Sequence, residues 1–155
     1  MKSLLILFLA LSSCTPTYPT GSYFIDTACD LCIVDGEING KKTHFIVDTG
    51  AGITCCDINQ SKDFDFTYVD CDIEIGGYNN SFGKVKQAIG IQSIKIKDVD
   101  ISDDIIYTQN MSYLVKYIEQ CSHKKISGII GVPIIRKYGL VIDLTNNKLY
   151  RLTKY

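Results

Sequence analysis

Phe45-Ile46-Val47-Asp48-Thr49-Gly50-Ala51 is the stretch on which the reading of this chain turns. Three apolar strand residues deliver a carboxylate to a tight turn. Removing a carboxylate from water costs free energy unless hydrogen bonds or a shared proton compensate. Gly50 allows close backbone approach and offers its amide to the acid. Thr49 brings a hydroxyl suited to locking the turn onto a partner. Asp48 is therefore the candidate catalytic group, in a turn completed by Thr49, Gly50 and Ala51.

Working outward, Cys32 to Ile38 alternates as a strand does, and Asn39-Gly40 is a strong hairpin signal because both residues tolerate positive φ. Thr43 to Val47 is the return strand, running straight into Asp48. Ile53 to Ile58 reads as a further short strand. Val69 to Ile75 alternates and ends in Gly76-Gly77-Tyr78-Asn79-Asn80-Ser81-Phe82-Gly83, a glycine-framed polar segment expected to be a hairpin tip. Lys84 to Ile96 continues the alternation, with Gly90 placed for a bulge or bend. Val99, Ile101 and Ile105-Ile106-Tyr107 are strand-like. Met111, Leu114, Val115 and Ile118 fall at helical spacing, with Asn110 or Ser112 as caps. Pro133 to Tyr138, stopped by Gly139, reads as a short helix. Leu140 to Leu144 and Leu149 to Leu152 are strands joined at Asn146-Asn147. The expected fold is mostly β, a small closed barrel with one or two short helices.

The chain has 155 residues and a net charge of −1, with 46% hydrophobic and 21% charged residues. That suits one globular domain and indicates no nucleic-acid footprint. Lys2 followed by the apolar run Leu4 to Leu11 reads as a secretory signal, too short to span a bilayer. The run ends in Leu11-Ser12-Ser13-Cys14, which resembles the lipobox of bacterial lipoproteins. That resemblance implies a signal peptide over 1–13, lipidation at Cys14 and a tether over 14–22. The tether is Pro-, Thr- and Gly-containing and unsuited to packing. The domain then spans 23–155. Six further cysteines, Cys29, Cys32, Cys55, Cys56, Cys71 and Cys121, suit disulfides in an oxidising compartment, or buried thiols, and the sequence leaves their pairing open. Cys29-Asp30-Leu31-Cys32 stands without a second such pair, and with only His44 and His123 in the chain no metal site is expected. No cofactor-binding motif is present.

Across roughly Cys32 to Leu152 the chain resembles the retropepsin-like aspartic peptidases, in particular exported bacterial lipoprotein members. The residues that carry the resemblance are Asn39-Gly40, the Asp48-Thr49-Gly50-Ala51 turn, Gly76 to Gly83, Gly128-Ile129-Ile130-Gly131 before a short helix, and the closing Val141 to Asn147 segment. It implies a barrel of the retropepsin type and a substrate-binding flap at Gly76, Gly77, Tyr78, Phe82 and Gly83. It also implies that the Gly128 to Gly131 segment wraps behind the active-site turn. Two positions depart from the family pattern. Gly52 stands where Ser, Thr or Asp is usual, and Val132-Pro133 where an acidic or amide residue often follows the second glycine.

Peptide hydrolysis of this kind takes two carboxylates around one water. Held that close, they share a proton, one acting as base and the other polarising the scissile carbonyl. The chain has a single Asp-Thr-Gly. Asp143 lacks the following glycine and is read as a strand or turn residue. The second carboxylate is then Asp48 of another copy, so a homodimer is expected, acting on extended peptides or proteins. The resemblance and the signal place it in the bacterial cell envelope, lipid-anchored on the periplasmic side of the outer membrane. The alternative is a catalytically silent lipoprotein that keeps the groove to bind peptides.

Overall fold

The computed structural model describes residues 21–76 and 82–152. Cys14, the signal segment, Gly77 and Tyr78 lie outside the described residues, and of Phe82 only the backbone is described. The strands in chain order are β1 (Tyr23–Phe24), β2 (Ile33–Ile38), β3 (Lys41–Val47), β4 (Cys55–Asp57), β5 (Thr67–Gly76) and β6 (Phe82–Ile89). After them come β7 (Ile94–Ile96), β8 (Val99–Asp100), β9 (Tyr107–Gln109), β10 (Ile126–Ile130), β11 (Leu140–Asp143) and β12 (Lys148–Arg151). Helix α1 is Ser112–Ser122 and α2 is Val132–Lys137.

Among the described residues the strands form two sheets, ordered β1-β12-β11 and β5-β6-β9-β4-β10-β3-β2-β7-β8. The fold is mostly β, as expected. Backbone pairing in the larger sheet runs from β5 to β8 without joining those two ends in the described residues. Its middle strands are buried on both faces, which explains their near-continuous apolar runs. Val34, Phe45, Val47, Cys56 and Ile130 enter one core with Ile94, Ile96, Leu140 and Leu149. Their strand neighbours Ile33, Ile46 and Cys55 point the other way, against Met111, Val115 and Ile118 of the α1 region. These two faces follow from the period-2 alternation of strand side chains, and Ile126 joins the second face because the register of β10 shifts between Ile126 and Gly128.

Local chemistry sets the connections. Asn39 and Gly40 have φ of 49° and 75°, forming the β2–β3 turn. The Asn39 side chain also receives the amides of Gln92 and Ser93 and donates to the carbonyls of Phe64 and Gly90. Gly90, at φ 83°, ends β6, so the expected long strand from Lys84 to Ile96 is two elements. Helix α1 runs on past Ile118 to Ser122 and closes on His123 in the left-handed region. Neither expected cap is at its N-cap, where Met111 stands instead. The Met111 amide donates to Asp57 Oδ1 at 3.1 Å. One disulfide joins Cys29 to Cys121, with Cα atoms 6.0 Å apart, while Cys32, Cys55, Cys56 and Cys71 are free thiols. No helix among the described residues is long and apolar enough to cross a membrane.

Candidate active site

β3 ends in the Asp48 turn because the chain bends back on its own hydrogen bonds. Gly50 N donates to Asp48 Oδ1 at 2.7 Å, and Ala51 N donates to the Asp48 carbonyl at 3.3 Å. An aspartate accepting from the amide two residues on makes its own turn. A Cβ on Gly50 would sit 3.2 Å from Asp48 Oδ1, tighter than an ordinary contact. Asp48 is half-buried, less shielded than the end of so apolar a strand suggests, while Thr49 and Gly50 are exposed.

The turn is held from behind by β10 and the start of α2. β10 runs parallel to β3, pairing Ile129 with Ile46 and Ile130 with Val47. Asp48 N then donates to Ile130 O at 3.0 Å, and Val132 N donates to Ala51 O at 2.9 Å. Gly131 N donates to the Thr54 hydroxyl at 3.0 Å. Gly131 is closed in by backbone, and a Cβ there would lie 2.7 Å from Ala51 O. Gly128 is crowded too: a Cβ would meet Cys55 O at 2.5 Å and the Phe45 ring at 3.1 Å. Both glycines named from the sequence therefore stand where strands pass closer than any side chain allows.

The far ends of the same strands are joined by a buried polar network. Asp57 Oδ1 accepts from the Asn59 amide and side chain, and Asp57 Oδ2 accepts from Gln60 Nε2 at 3.1 Å. Gln60 Nε2 also donates to Ile126 O, and Gln60 Oε1 accepts from Ser127, whose hydroxyl bonds that of Thr43. Thr54, Asp57 and Gln60 were not singled out by sequence reasoning. A threonine inside the apolar run Ile53 to Cys56 was the one signal available for Thr54.

Other candidates fall elsewhere. Gly76 pairs with Phe82 at the turn end of the β5–β6 hairpin, and a Cβ on neighbouring Gly83 would meet nothing within 4 Å. On that hairpin Asp70 pairs with Lys86 at 3.0 Å. Asp143 is the last residue of β11, and its carboxylate accepts from the Asn146 amide and side chain. His44 is half-buried, with Nε2 3.6 Å from Asp35. Asp35 is itself held below the ordinary carboxylate range, chiefly by its hydrogen bond from Lys97. Burial pushes the Cys55 thiol up to about 12 and that of Cys56 higher still. Among the described residues no group of three His, Cys, Asp or Glu side chains is arranged to hold a metal ion.

No family model matches the chain, and no curated protein does. Among solved structures, it is similar to a retropepsin-like aspartic protease from Rickettsia conorii, at 16% identity and a TM-score of 0.49 over 83% of this chain and 87% of that one. It is also similar to the retroviral protease-like domain of Ddi1 from Leishmania major, at 15% identity and a TM-score of 0.46 over 78% of this chain and 87% of that one.

Proposed function

We propose that the protein is an aspartic endopeptidase that hydrolyses extended peptides as a homodimer. The observation that carries this is the Gly50 amide bonded to Asp48 Oδ1 at 2.7 Å, on a turn braced from behind and exposed in front. The amide orients one carboxylate oxygen, and the other is left for chemistry. A second copy docked face to face brings the two Asp48 side chains together around one water. Like charges at that separation share a proton. The ionised member takes a proton from the water as it attacks the peptide carbonyl. The protonated member donates to the developing oxyanion. The member that took the water's proton then passes it to the amide nitrogen as the C–N bond breaks. The oxyanion's proton returns to the other carboxylate, and the pair again shares one proton. Exposed Thr49 is placed to brace one turn against its twin. The β5–β6 hairpin is the proposed flap over the substrate, adding backbone hydrogen bonds to an extended chain.

The proposed setting is the bacterial cell envelope, on the periplasmic side of the outer membrane, with lipid attached at Cys14. The Cys29–Cys121 disulfide supports an oxidising compartment. Tethering would raise the local concentration of subunits and favour pairing.

The test is cleavage of a quenched peptide library by the purified full chain in detergent from acidic to neutral pH, beside Asp48→Asn, with hydrodynamic mass in parallel. Cleavage that the substitution abolishes, from a dimer, supports the assignment. A strict monomer at high concentration, or turnover that survives Asp48→Asn, refutes it. Peptide binding by a dimer without turnover favours the silent binding protein instead.

A further inference from the structure

β3 leads into Asp48 at one end and carries Lys42, Thr43 and His44 at the other, roughly 16 Å away at about 3.3 Å per residue. There a cavity of about 330 Å³ opens between the start of β3 and His123-Lys124-Lys125, the loop from α1 to β10. Lys42, His44, His123, Lys124 and Lys125 line it, and among the described residues no Asp or Glu does. Such a gathering is uneven for a chain of net charge −1. Phe64 and the buried Thr43, Gln60 and Ser127 complete the lining. Those three polar side chains spend their donors on one another, on Asp57 and on Ile126 O, which leaves the cations as the binding groups.

Ion pairs within the protein do not neutralise the group. Lys124 pairs with Asp26 at 2.6 Å and Lys125 with Asp63 at 3.2 Å, and both acids stand outside the lining. Glu37 is opposite Lys42 in the β2–β3 register, but its carboxylate lies 3.5 Å from Lys95. Lys42 and His123 have no ion pair among the described residues. The loop is also held in place. His123 closes α1 at φ 57°, Lys124 N donates to Ser122 Oγ at 3.1 Å, and Lys125 O accepts from His44 Nδ1 at 3.2 Å. Cations carried on a fixed loop lose less freedom on binding.

We propose that this cavity binds a phosphate group, held by Lys42, His123, Lys124 and Lys125. A cleft lined by one sign of charge concentrates counter-ions. Each lysine ammonium offers three donors on a flexible stem, and the His123 imidazole has an N–H to give whether charged or neutral. The donors arrive from two sides, from β3 and from the loop. A tetrahedral anion with several oxygens can meet both, where a carboxylate has only two oxygens in one plane. The volume is at the low end for small-molecule pockets, roughly 300–1,000 Å³, and suits a phosphate with a short attachment. The Lys124–Asp26 pair ties the cavity to the start of the domain, where the proposed tether arrives. An anionic phospholipid headgroup is therefore the favoured source of the phosphate, and free phosphate is the other. The site does not depend on the peptidase assignment.

The experiment titrates the full chain in neutral detergent micelles, at fixed ionic strength, with inorganic phosphate. Parallel titrations add phosphatidylglycerol or phosphatidylcholine to the micelles. Backbone amide NMR shifts report where binding occurs. Saturable shifts are expected at Lys42, Thr43, His123, Lys124 and Lys125. Lys42→Gln and Lys125→Gln should each weaken binding about threefold, the scale of one exposed charge contact. Lys42→Arg should keep it. Lys116→Gln, which removes an exposed lysine of α1 outside the cavity, should leave it unchanged. Thermal midpoints near wild type confirm that the variants fold. Saturation by inorganic phosphate without a lipid response upholds the site and assigns it to free phosphate. Saturation by phosphatidylglycerol but not phosphatidylcholine upholds it and assigns it to a headgroup. No saturation by any probe, the same shifts from sodium chloride, or a lipid response alone that is equal for the two lipids overturns it. Binding that Lys42→Gln and Lys125→Gln leave intact overturns it as well.

Discussion

Gly131 lies directly behind Ile53: a Cβ on Gly131 would fall 2.1 Å from the Ile53 carbonyl oxygen. Nothing flexible is there to yield, because the neighbour is backbone. Gly131→Ala is therefore expected to force β10 away from the Asp48 turn. The cost should reach about 3 kcal/mol, the upper part of the range for overpacking. Urea denaturation measures the loss of stability. Hydrogen exchange at the Asp48 amide should quicken in any remaining folded protein, since that amide and the Ile130 carbonyl would no longer meet.

Asp57→Ala should cost a comparable amount by the opposite route. The carboxylate is 3% exposed and accepts from the Met111 amide, the Gln60 amide and Asn59. Each buried donor left without an acceptor costs about 1–3 kcal/mol. Because Met111 stands at the start of α1, hydrogen exchange should quicken across Ser112–Ser122 first. Unchanged exchange in that helix would contradict the coupling.

The buried thiols set an alkaline limit. Burial holds Cys55 up to about 12 and Cys56 beyond it, whereas an unfolded cysteine titrates near roughly 8.5. The folded protein keeps protons that the unfolded chain releases, so this stability is present below about pH 8.5 and declines as pH rises. The slope is at most about 1.4 kcal/mol per pH unit per thiol. Urea midpoints from pH 7 to 10.5 should fall, and the double variant Cys55→Ala, Cys56→Ala should lose that part of the fall. Alkylation of the native protein should spare both residues until it unfolds.

The Cys29–Cys121 bridge spans 92 positions. Closing so long a loop in the unfolded chain typically contributes about 2–4 kcal/mol. Cys29→Ser with Cys121→Ser should lower the urea midpoint accordingly, and mild reductant should do the same to the wild type alone. Equal midpoints with and without reductant would argue against the bridge.

What was legible in the sequence was local. Asn39-Gly40 announced a turn because few residues accept positive φ, and Gly90 announced a break for the same reason. Gly50 was identifiable as a donor to Asp48 because an aspartate and the amide two residues on are always within reach. Gly128 and Gly131 were marked by resemblance, and the crowding explains why glycine is needed there. What was not legible depends on residues distant in the chain. The choice of Cys121 as partner for Cys29 is made by where α1 ends, and no spacing encodes it. Thr43, Asp57, Gln60 and Ser127 are ordinary polar residues until β3, β4 and β10 bring them together. Helix α1 has its first amide met by Asp57, which no local capping pattern contains.

The bond from the Asp48 amide to Ile130 has a consequence for the protein's birth. Its two ends are made far apart in time, since the ribosome must add some eighty further residues after Asp48 before Ile130 exists. Contacts of such long sequence separation form late. A nascent chain would therefore carry the acid with its brace missing. The strand order leaves the Asp48 turn unbraced until β10 has been made, so the turn can take its final shape only after that strand arrives.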